Sequence, residues 1–250
     1  MAQAITLMYH DIISHEATES GFQNKTALKY KVFSDAFDEQ VKSVRIYLQS
    51  KRLSDSTVSF TFDDGGESFI TNAAPILEKY GFRGVFFVST GYIGNKGFLD
   101  AEQIKELAKR GHRIGSHSHS HPERMTALSC KEIQDEWSVS QMMLNEVLGY
   151  KPAIASIPNG YSSPEVLKSM VSSDISEIYT SHPTSKVKKK QNYTLIGRYA
   201  ITADMSTGEV LSIVKSPYKR FKINCRQQIL DFAKRVLGNY YLSIREKLIK

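Results

Sequence analysis

The sequence predicts an α/β protein, a (β/α) barrel of seven or eight parallel strands with its active site at the carboxyl ends of those strands. Three observations carry this. Short β-rich apolar runs alternate with helical patterns along the chain, the signature of a parallel sheet with crossover helices. Seven or eight such units fit into about 210 residues, which suits a barrel. Polar residues able to do chemistry fall, unit after unit, just past the end of a run: His10 after the first, Asp63 and Asp64 after the second, His117 after the fourth, Pro158-Asn159-Gly160 after the fifth and His182 after the sixth. That is the face on which (β/α) barrels keep their sites.

The first strand is Ile5–Tyr9, and the polar stretch from Ile12 to Lys31 reads as a long loop, functional or disordered. Ser34 caps a helix to about Gln49, with Phe37, Val41, Val44 and Leu48 on one face. Strand two, Val58–Phe62, runs into a double glycine. A helix follows from Phe69 to Tyr80, with Gly81 closing it. Gly84–Val88 is apolar throughout and reads as a buried strand. Asp100 caps Ala101–Arg110, Gly111 ends that helix, and Arg113–Ser116 is strand four. Ser129 and Glu132 form a capping box for a helix that reaches Leu148 and stops at Gly149. Strand five is Ala153–Ile157. Ser163-Pro164 opens the next helix, since proline is tolerated at the first helical position. Glu177–Thr180 and Thr194–Arg198 are strands six and seven. From Gln227 to Ile249 apolar residues recur at helical spacing, an amphipathic helix weakened by Gly238. The domain reading is a catalytic domain over residues 1–214 and a basic, amphipathic helical extension over 215–250.

Chemistry concentrates in two stretches. Thr61-Phe62-Asp63-Asp64-Gly65-Gly66 carries adjacent carboxylates to the end of a strand, where the glycine turn lets both reach one cleft. Two acids side by side repel unless a cation sits between them; a metal ion on one leaves the other free as a base. His117-Ser118-His119-Ser120-His121-Pro122 places three histidines among small residues. His117 and His121 lie four apart, so one turn of backbone can aim both at one point. One carboxylate oxygen and two imidazoles leave coordination positions open, as a catalytic zinc-type site needs.

Together these two motifs resemble the first two motifs of the polysaccharide deacetylase family (carbohydrate esterase family 4), over a stretch of roughly Ile5 to Ile213. The resemblance implies a distorted (β/α) barrel of about seven parallel strands, a divalent cation, often zinc in the family, on Asp64, His117 and His121, and Asp63 as general base. It also implies a main-chain amide donor for the oxyanion in the loop carrying Asn159, Gly160 and Tyr161. Two features depart from the family. The Arg that tethers the catalytic Asp is replaced by Ala155 or Ser156, with Arg198 as a substitute. The late Leu-x-His motif that supplies the general acid is not visible, leaving His182 as the candidate, with His10 and His119 as alternatives or as residues behind the ligands. Phe98 is a candidate for the cleft mouth or a helix contact, and Trp137 is expected to pack in the interior rather than stack on a sugar.

The implied function is metal-dependent hydrolysis of the N-acetyl amide of an amino sugar in a bacterial surface polysaccharide or its precursor. A deformylase or amidase acting on another small amide, and a carbohydrate-binding pseudoenzyme, are the alternatives. An amidohydrolase or phosphoesterase reading would use His117 and His119 as a chelating pair, but such a pair belongs after the first strand, not the fourth.

Composition bounds the setting. Of 250 residues, 41% are hydrophobic and 24% charged, enough for a sizeable core and too few charges for disorder. The start of the chain has no signal-peptide pattern, no apolar run approaches a membrane span, and two cysteines make no disulfide framework. The expectation is a cytoplasmic protein. The net charge of +7 is uneven: Lys215–Lys250 holds ten basic residues against two acidic, while the remainder is close to neutral. Those charges suggest peripheral contact with the inner face of a membrane, and no nucleic-acid partner is expected.

Overall fold

The structure, a computed structural model, describes residues 5–15 and 19–237. In chain order it begins with β1 (Ile5–Tyr9), β2 (Ile12–Ile13), β3 (Val32–Phe33), α1 (Ser34–Ser50), β4 (Val58–Phe62), α2 (Ala74–Lys79), β5 (Gly84–Val88), α3 (Ala101–Lys109) and β6 (Arg113–Ser116). It continues with α4 (Cys130–Leu148), β7 (Ile154–Ser156), α5 (Pro164–Ser172), β8 (Glu177–Tyr179), β9 (Lys188–Lys189), β10 (Thr194–Ile196), β11 (Tyr199–Ala200), α6 (Thr207–Lys215) and α7 (Pro217–Leu237).

One parallel sheet runs β1-β4-β5-β6-β7-β8, with β11 outside β1 and β10 outside β8. β10 and β11 belong to a single segment. Thr194–Ile196 pairs with β8, and Tyr199–Ala200 pairs with β1. Only Gly197 and Arg198 separate the two halves, so this segment stitches together the far edges of the curled sheet. The predicted seventh strand, Thr194–Arg198, is therefore split in two at the point of closure. Glycine is required there: a Cβ on Gly197 would stand 2.4 Å from Thr184 Cγ2 and 2.5 Å from the His182 carbonyl oxygen. The antiparallel β9 on β10 and the β2–β3 pair are short additions. The latter joins the two ends of the predicted Ile12–Lys31 loop.

Register brings the strand ends level. Tyr9 faces Phe62, Val88 faces Ser116, and Ser156 faces Tyr179. The residues immediately past these positions are His10, Asp63, Ser89, His117, Ile157 and Thr180. Hydrogen bonds continue the layer: Asp63 N–H donates to Tyr9 O, His117 N–H to Val88 O and Ile157 N–H to Tyr179 O. Alternation along β5 divides the packing beneath. Phe86 and Val88 join the large core with α1, α2, α3 and α6. Val85 and Phe87 turn the other way, packing with Ile154, Tyr179 and Ile196. Gly115 makes room for this second group, since a Cβ there would lie 2.7 Å from the Phe87 ring. A third cluster, around Trp137, Ile157 and Ile178, seals α4 and α5 against β7 and β8.

Most helix ends are those the sequence predicts. Ser129 with Glu132 and Asp100 with its Gln103 partner form capping boxes, and Gly149 ends α4 at φ 78°. Two ends differ. Ser34 is the first helical residue rather than the cap, because β3 already sets the backbone at Phe33. The predicted Phe69–Tyr80 helix opens with a π turn, Phe69–Ala73, before α2; Pro75 has no N–H to offer the α ladder at that turn. The last helix starts at Pro217, ahead of the predicted Gln227, and the part predicted beyond Leu237 lies outside the described residues. Its early start is favoured by proline at the first position, and Arg220 donates to the carbonyls of Ile213 and Val214 at the end of α6.

Candidate active site

Asp63 and Asp64 leave β4 together and diverge through the backbone. Asp63 continues the strand, while Asp64 takes φ 87° and Gly65 φ 92°. A non-glycine residue at such a φ is strained by ~1–3 kcal/mol. The turn thus starts at Asp64 itself, and it rotates the second carboxylate onto the same cleft as the first.

Asp63 is buried and its carboxylate accepts three side-chain hydrogen bonds. Arg198 bridges both carboxylate oxygens, Nη1 to Oδ1 at 2.6 Å and Nη2 to Oδ2 at 2.7 Å. The Ser156 hydroxyl donates to Oδ2 at 3.1 Å and accepts from Arg198 Nη2 at 2.7 Å. Arg198 is fully buried, donates Nε–H to the Thr180 carbonyl, and lies over the Phe87 ring. Its bidentate fork both orients and charges the carboxyl. Burial alone would push the Asp63 pKa up; the Arg198 guanidinium, followed by His117, more than offsets it and leaves the group below its ordinary value. Arg198, the sequence candidate for the missing tether, is thus in direct contact with Asp63, and Ser156, one of the two residues at the family's Arg place, completes the same network.

Asp64, His117 and His121 converge. Their ligand atoms lie within 4.8 Å of one another, with Asp64 Oδ1 3.4 Å from His117 Nε2 and 3.3 Å from His121 Nε2. His117 Nδ1 lies 2.9 Å from the Ser156 carbonyl oxygen. A carbonyl only accepts, so Nδ1 carries the proton and Nε2 turns its lone pair inward, the orientation a metal-ligating histidine needs. His121 reaches the cluster through φ 55°, with Ser118 before it at φ 64°, and its N–H donates to Ser118 Oγ. Burial opposes charge on Asp64, but His10, His117 and His121 hold its pKa well below the ordinary value. Burial also pulls the His117 pKa down, and the Asp63 and Asp64 carboxylates reverse that into a net rise. A buried centre that stabilises added positive charge, with an oxygen and two oriented imidazole nitrogens, fits a divalent cation.

The other sequence candidates separate. His119 does not enter the cluster; its Nδ1 pairs with Thr90 Oγ1 at 3.1 Å, and its N–H donates to Glu136. Glu136 also takes the N–H and hydroxyl of Ser120, so α4 fixes the whole histidine loop. No local spacing announces this contact between residues 16 and 17 positions apart. His10 stacks on Tyr30 with ring centroids 4.5 Å apart, and its buried Nδ1 has no hydrogen-bond partner among the described residues. The His182 ring instead faces α7, with Nε2 3.3 Å from Asn224 Nδ2. The Asn159–Tyr161 turn is formed, with Asn159 at φ 54°, but the Gly160 N–H is spent on the Ile157 carbonyl. Trp137 is fully buried, as its expected packing role requires. Phe98 joins Phe22 and Tyr92 in an aromatic group, and Phe22 from the long loop lies 4.8 Å from the His121 ring. The sequence reading did not single out Phe22, since no periodicity marks a loop residue.

A held carboxylate beside an Asp-His-His cluster, at the carboxyl ends of a (β/α) barrel, is the constellation of the metal-assisted hydrolases. Comparison with known proteins narrows the class. The chain belongs to the polysaccharide deacetylase family, whose profile matches residues 50–177. That range contains Asp63, Asp64, His117, His121 and the Asn159–Tyr161 turn, and leaves His10, His182 and Arg198 outside. Among sequence relatives, YxkH of Bacillus subtilis is 31% identical over 147 residues, 59% of this chain and 52% of that one. The peptidoglycan-N-acetylmuramic acid deacetylase PdaC of Bacillus subtilis is 32% identical over 119 residues, 47% of this chain and 24% of that one. The chain thus spans about half, or less, of the length of these relatives. In fold it is similar to the Streptococcus pyogenes deacetylase PplD in complex with acetate, at a TM-score of 0.65 and 22% identity over 86% of this chain and 99% of that one.

Proposed function

We propose that the protein is a metal-dependent deacetylase that hydrolyses the N-acetyl amide of an amino sugar in a bacterial surface polysaccharide or its precursor. The observation that carries this reading is the Asp64-His117-His121 cluster set against an Asp63 held at both oxygens by Arg198. These three residues would hold the ion, read as zinc. When bound, it polarises the amide carbonyl and lowers the pKa of an adjacent water, which lets a carboxylate of depressed pKa serve as base.

The chain's own groups carry the protons. Asp63 takes one from the attacking water as its oxygen bonds to the acetyl carbon. Arg198 and Ser156 keep the carboxylate ionised and aimed. A main-chain amide of the Asn159–Tyr161 turn is the donor to the developing oxyanion; Gly160 is already engaged, which leaves its neighbours. As the C–N bond breaks, the leaving nitrogen needs a proton, and His10 is better placed than His182 to give it. His10 follows Tyr9, which pairs with Phe62 just before Asp63 and Asp64, and its Nδ1 is uncommitted among the described residues, whereas His182 turns to Asn224. The products are acetate and a free amine. The contact between Arg198 and Asp63 also argues against a pseudoenzyme, since it supplies the tether that reading takes as missing.

Acetate release from a panel of N-acetylated glycans, measured with metal content, tests the reading. The Asp63→Asn protein is expected to keep its ion and lose ~10²–10⁴-fold in rate. Near-normal turnover in that variant would exclude the mechanism.

The reading extends to a membrane surface. No helix among the described residues is long and apolar enough to cross a bilayer. α7, however, exposes Tyr218, Phe221 and Ile229 at 64–68% amid Lys219, Lys222 and Arg226, the pattern of a helix lying in a lipid interface. Peripheral association with the anionic inner face of a membrane would bring the site to a lipid-carried precursor. Vesicle co-sedimentation is expected to show binding to anionic lipid at low salt that fades at high salt. Equal binding to neutral vesicles, or none at low salt, removes the membrane role.

A further inference from the structure

Beside the Asp63 network lies a concavity of which the hydrolytic reading uses only one wall, the Asn159–Tyr161 turn. It has a volume of about 560 Å³ and is open on one side, within the range of ligand pockets. One wall is the Asn159–Tyr161 turn, and another includes Thr180, whose carbonyl accepts from Arg198. The cavity therefore shares residues with the surroundings of the site. Lys186 and Lys188, from the lysine-rich stretch 186–190, also line it and are exposed.

That stretch is not simply a solvated loop. Lys188 and Lys189 form β9, antiparallel to β10, with Lys188 opposite Leu195. Residues opposite one another across two strands share a face, and Leu195 and Lys188 both line the cavity while Lys189 does not. Sheet pairing therefore sets which of these two exposed lysines borders the cavity. The carboxylate on the rim, Asp231 of α7, accepts from Gln227 Nε2 at 2.8 Å. Two ammonium groups against one carboxylate leave the cavity net positive.

We propose that this cavity binds an anionic substituent, a carboxylate or phosphate group, on the sugar next to the one that is deacetylated. The proposal rests on the deacetylase reading for the identity of the neighbouring sugar, but the charge preference can be read without turnover. Titration calorimetry on the Asp63→Asn protein compares three tetrasaccharides: neutral N-acetylglucosamine units, units alternating with glucuronate, and units joined by a phosphodiester.

At low salt the charged glycans are expected to bind about tenfold more tightly than the neutral one, the effect of two partly exposed charge contacts. Added Lys186→Gln and Lys188→Gln substitutions should erase that margin and leave the neutral glycan within about twofold. High salt should erase it in the parent. The tighter of the two charged glycans assigns the anion as carboxylate or phosphate. Equal binding of neutral and charged glycans, or equal weakening of both by the lysine substitutions, overturns the proposal. If wild-type protein releases no acetate while the charge preference persists, the deacetylase reading falls and the anion site stands.

Discussion

Asp63 and Asp64 are sequence neighbours with opposite tasks, and one backbone angle divides them. Asp63 stays on the strand, where Arg198 and Ser156 engage it; Asp64 turns at φ 87° toward His117 and His121. Arg198 sets the value of this arrangement, because a planar fork can hold two oxygens at once and an ammonium cannot. The Arg198→Lys protein is therefore expected to bind metal normally and to lose ~10²-fold in acetate release, the scale of a misplaced catalytic group. Arg198→Met leaves a buried carboxylate unpaired, which should destabilise the fold by ~3–5 kcal/mol, read from the denaturant midpoint. Wild-type turnover in the lysine variant would show that bidentate holding is not needed.

At the scale of elements, His112 joins three pieces of the barrel. Its Nδ1 accepts the Gly84 N–H of β5 at 2.9 Å, and its Nε2 lies 2.8 Å from Glu78 on α2, a carboxylate that Arg110 also grips. The ring is neutral in this arrangement, since a proton on Nδ1 would break the bond to Gly84. Burial, stronger than the opposing pull of Glu78, lowers the His112 pKa below 6.5. Below pH 6.5 the unfolded chain takes up a proton there that the folded chain refuses, so stability falls as pH drops from about 6.5 toward the folded value. Comparing pH profiles of the denaturant midpoint for wild type and His112→Gln isolates this effect. The variant, which keeps a neutral acceptor and donor, should lose less stability between pH 7 and 5. Parallel profiles would mean that His112 does not couple the elements through its proton.

For the whole molecule, the buried cluster of acids and histidines links metal binding to folding. An ion that binds only the folded chain adds RT ln(1 + [L]/Kd), ~2.7 kcal/mol at a hundredfold excess over Kd. Adding Zn²⁺ to chelator-treated protein is expected to raise the melting temperature by several degrees, and His121→Ala should abolish the rise. A shift of the same size in His121→Ala, together with its loss in His119→Ala, would mean that the ligands are misassigned.

The local features were legible in the sequence because local physics encodes them. Apolar runs at periods of two and 3.6, capping residues and glycine stops set the strands and most helix ends. The spacing of His117 and His121, beside adjacent carboxylates at a strand end, pointed to the cluster the structure assembles. What the sequence left open depends on where the chain closes. Arg198 meets Asp63 across 135 positions because residues 194–200 join both edges of the sheet, a pairing no local pattern announces. The surroundings of His10 and His182 likewise come from distant segments: α7 brings Asn224 to the His182 ring, while β1 ends beside β4 and stacks the His10 ring on Tyr30. Glu136, Phe22 and the pairing of Lys188 with Leu195 belong with these. Their roles come from contacts between distant segments, and such contacts are fixed only when the strands find their register and the barrel closes.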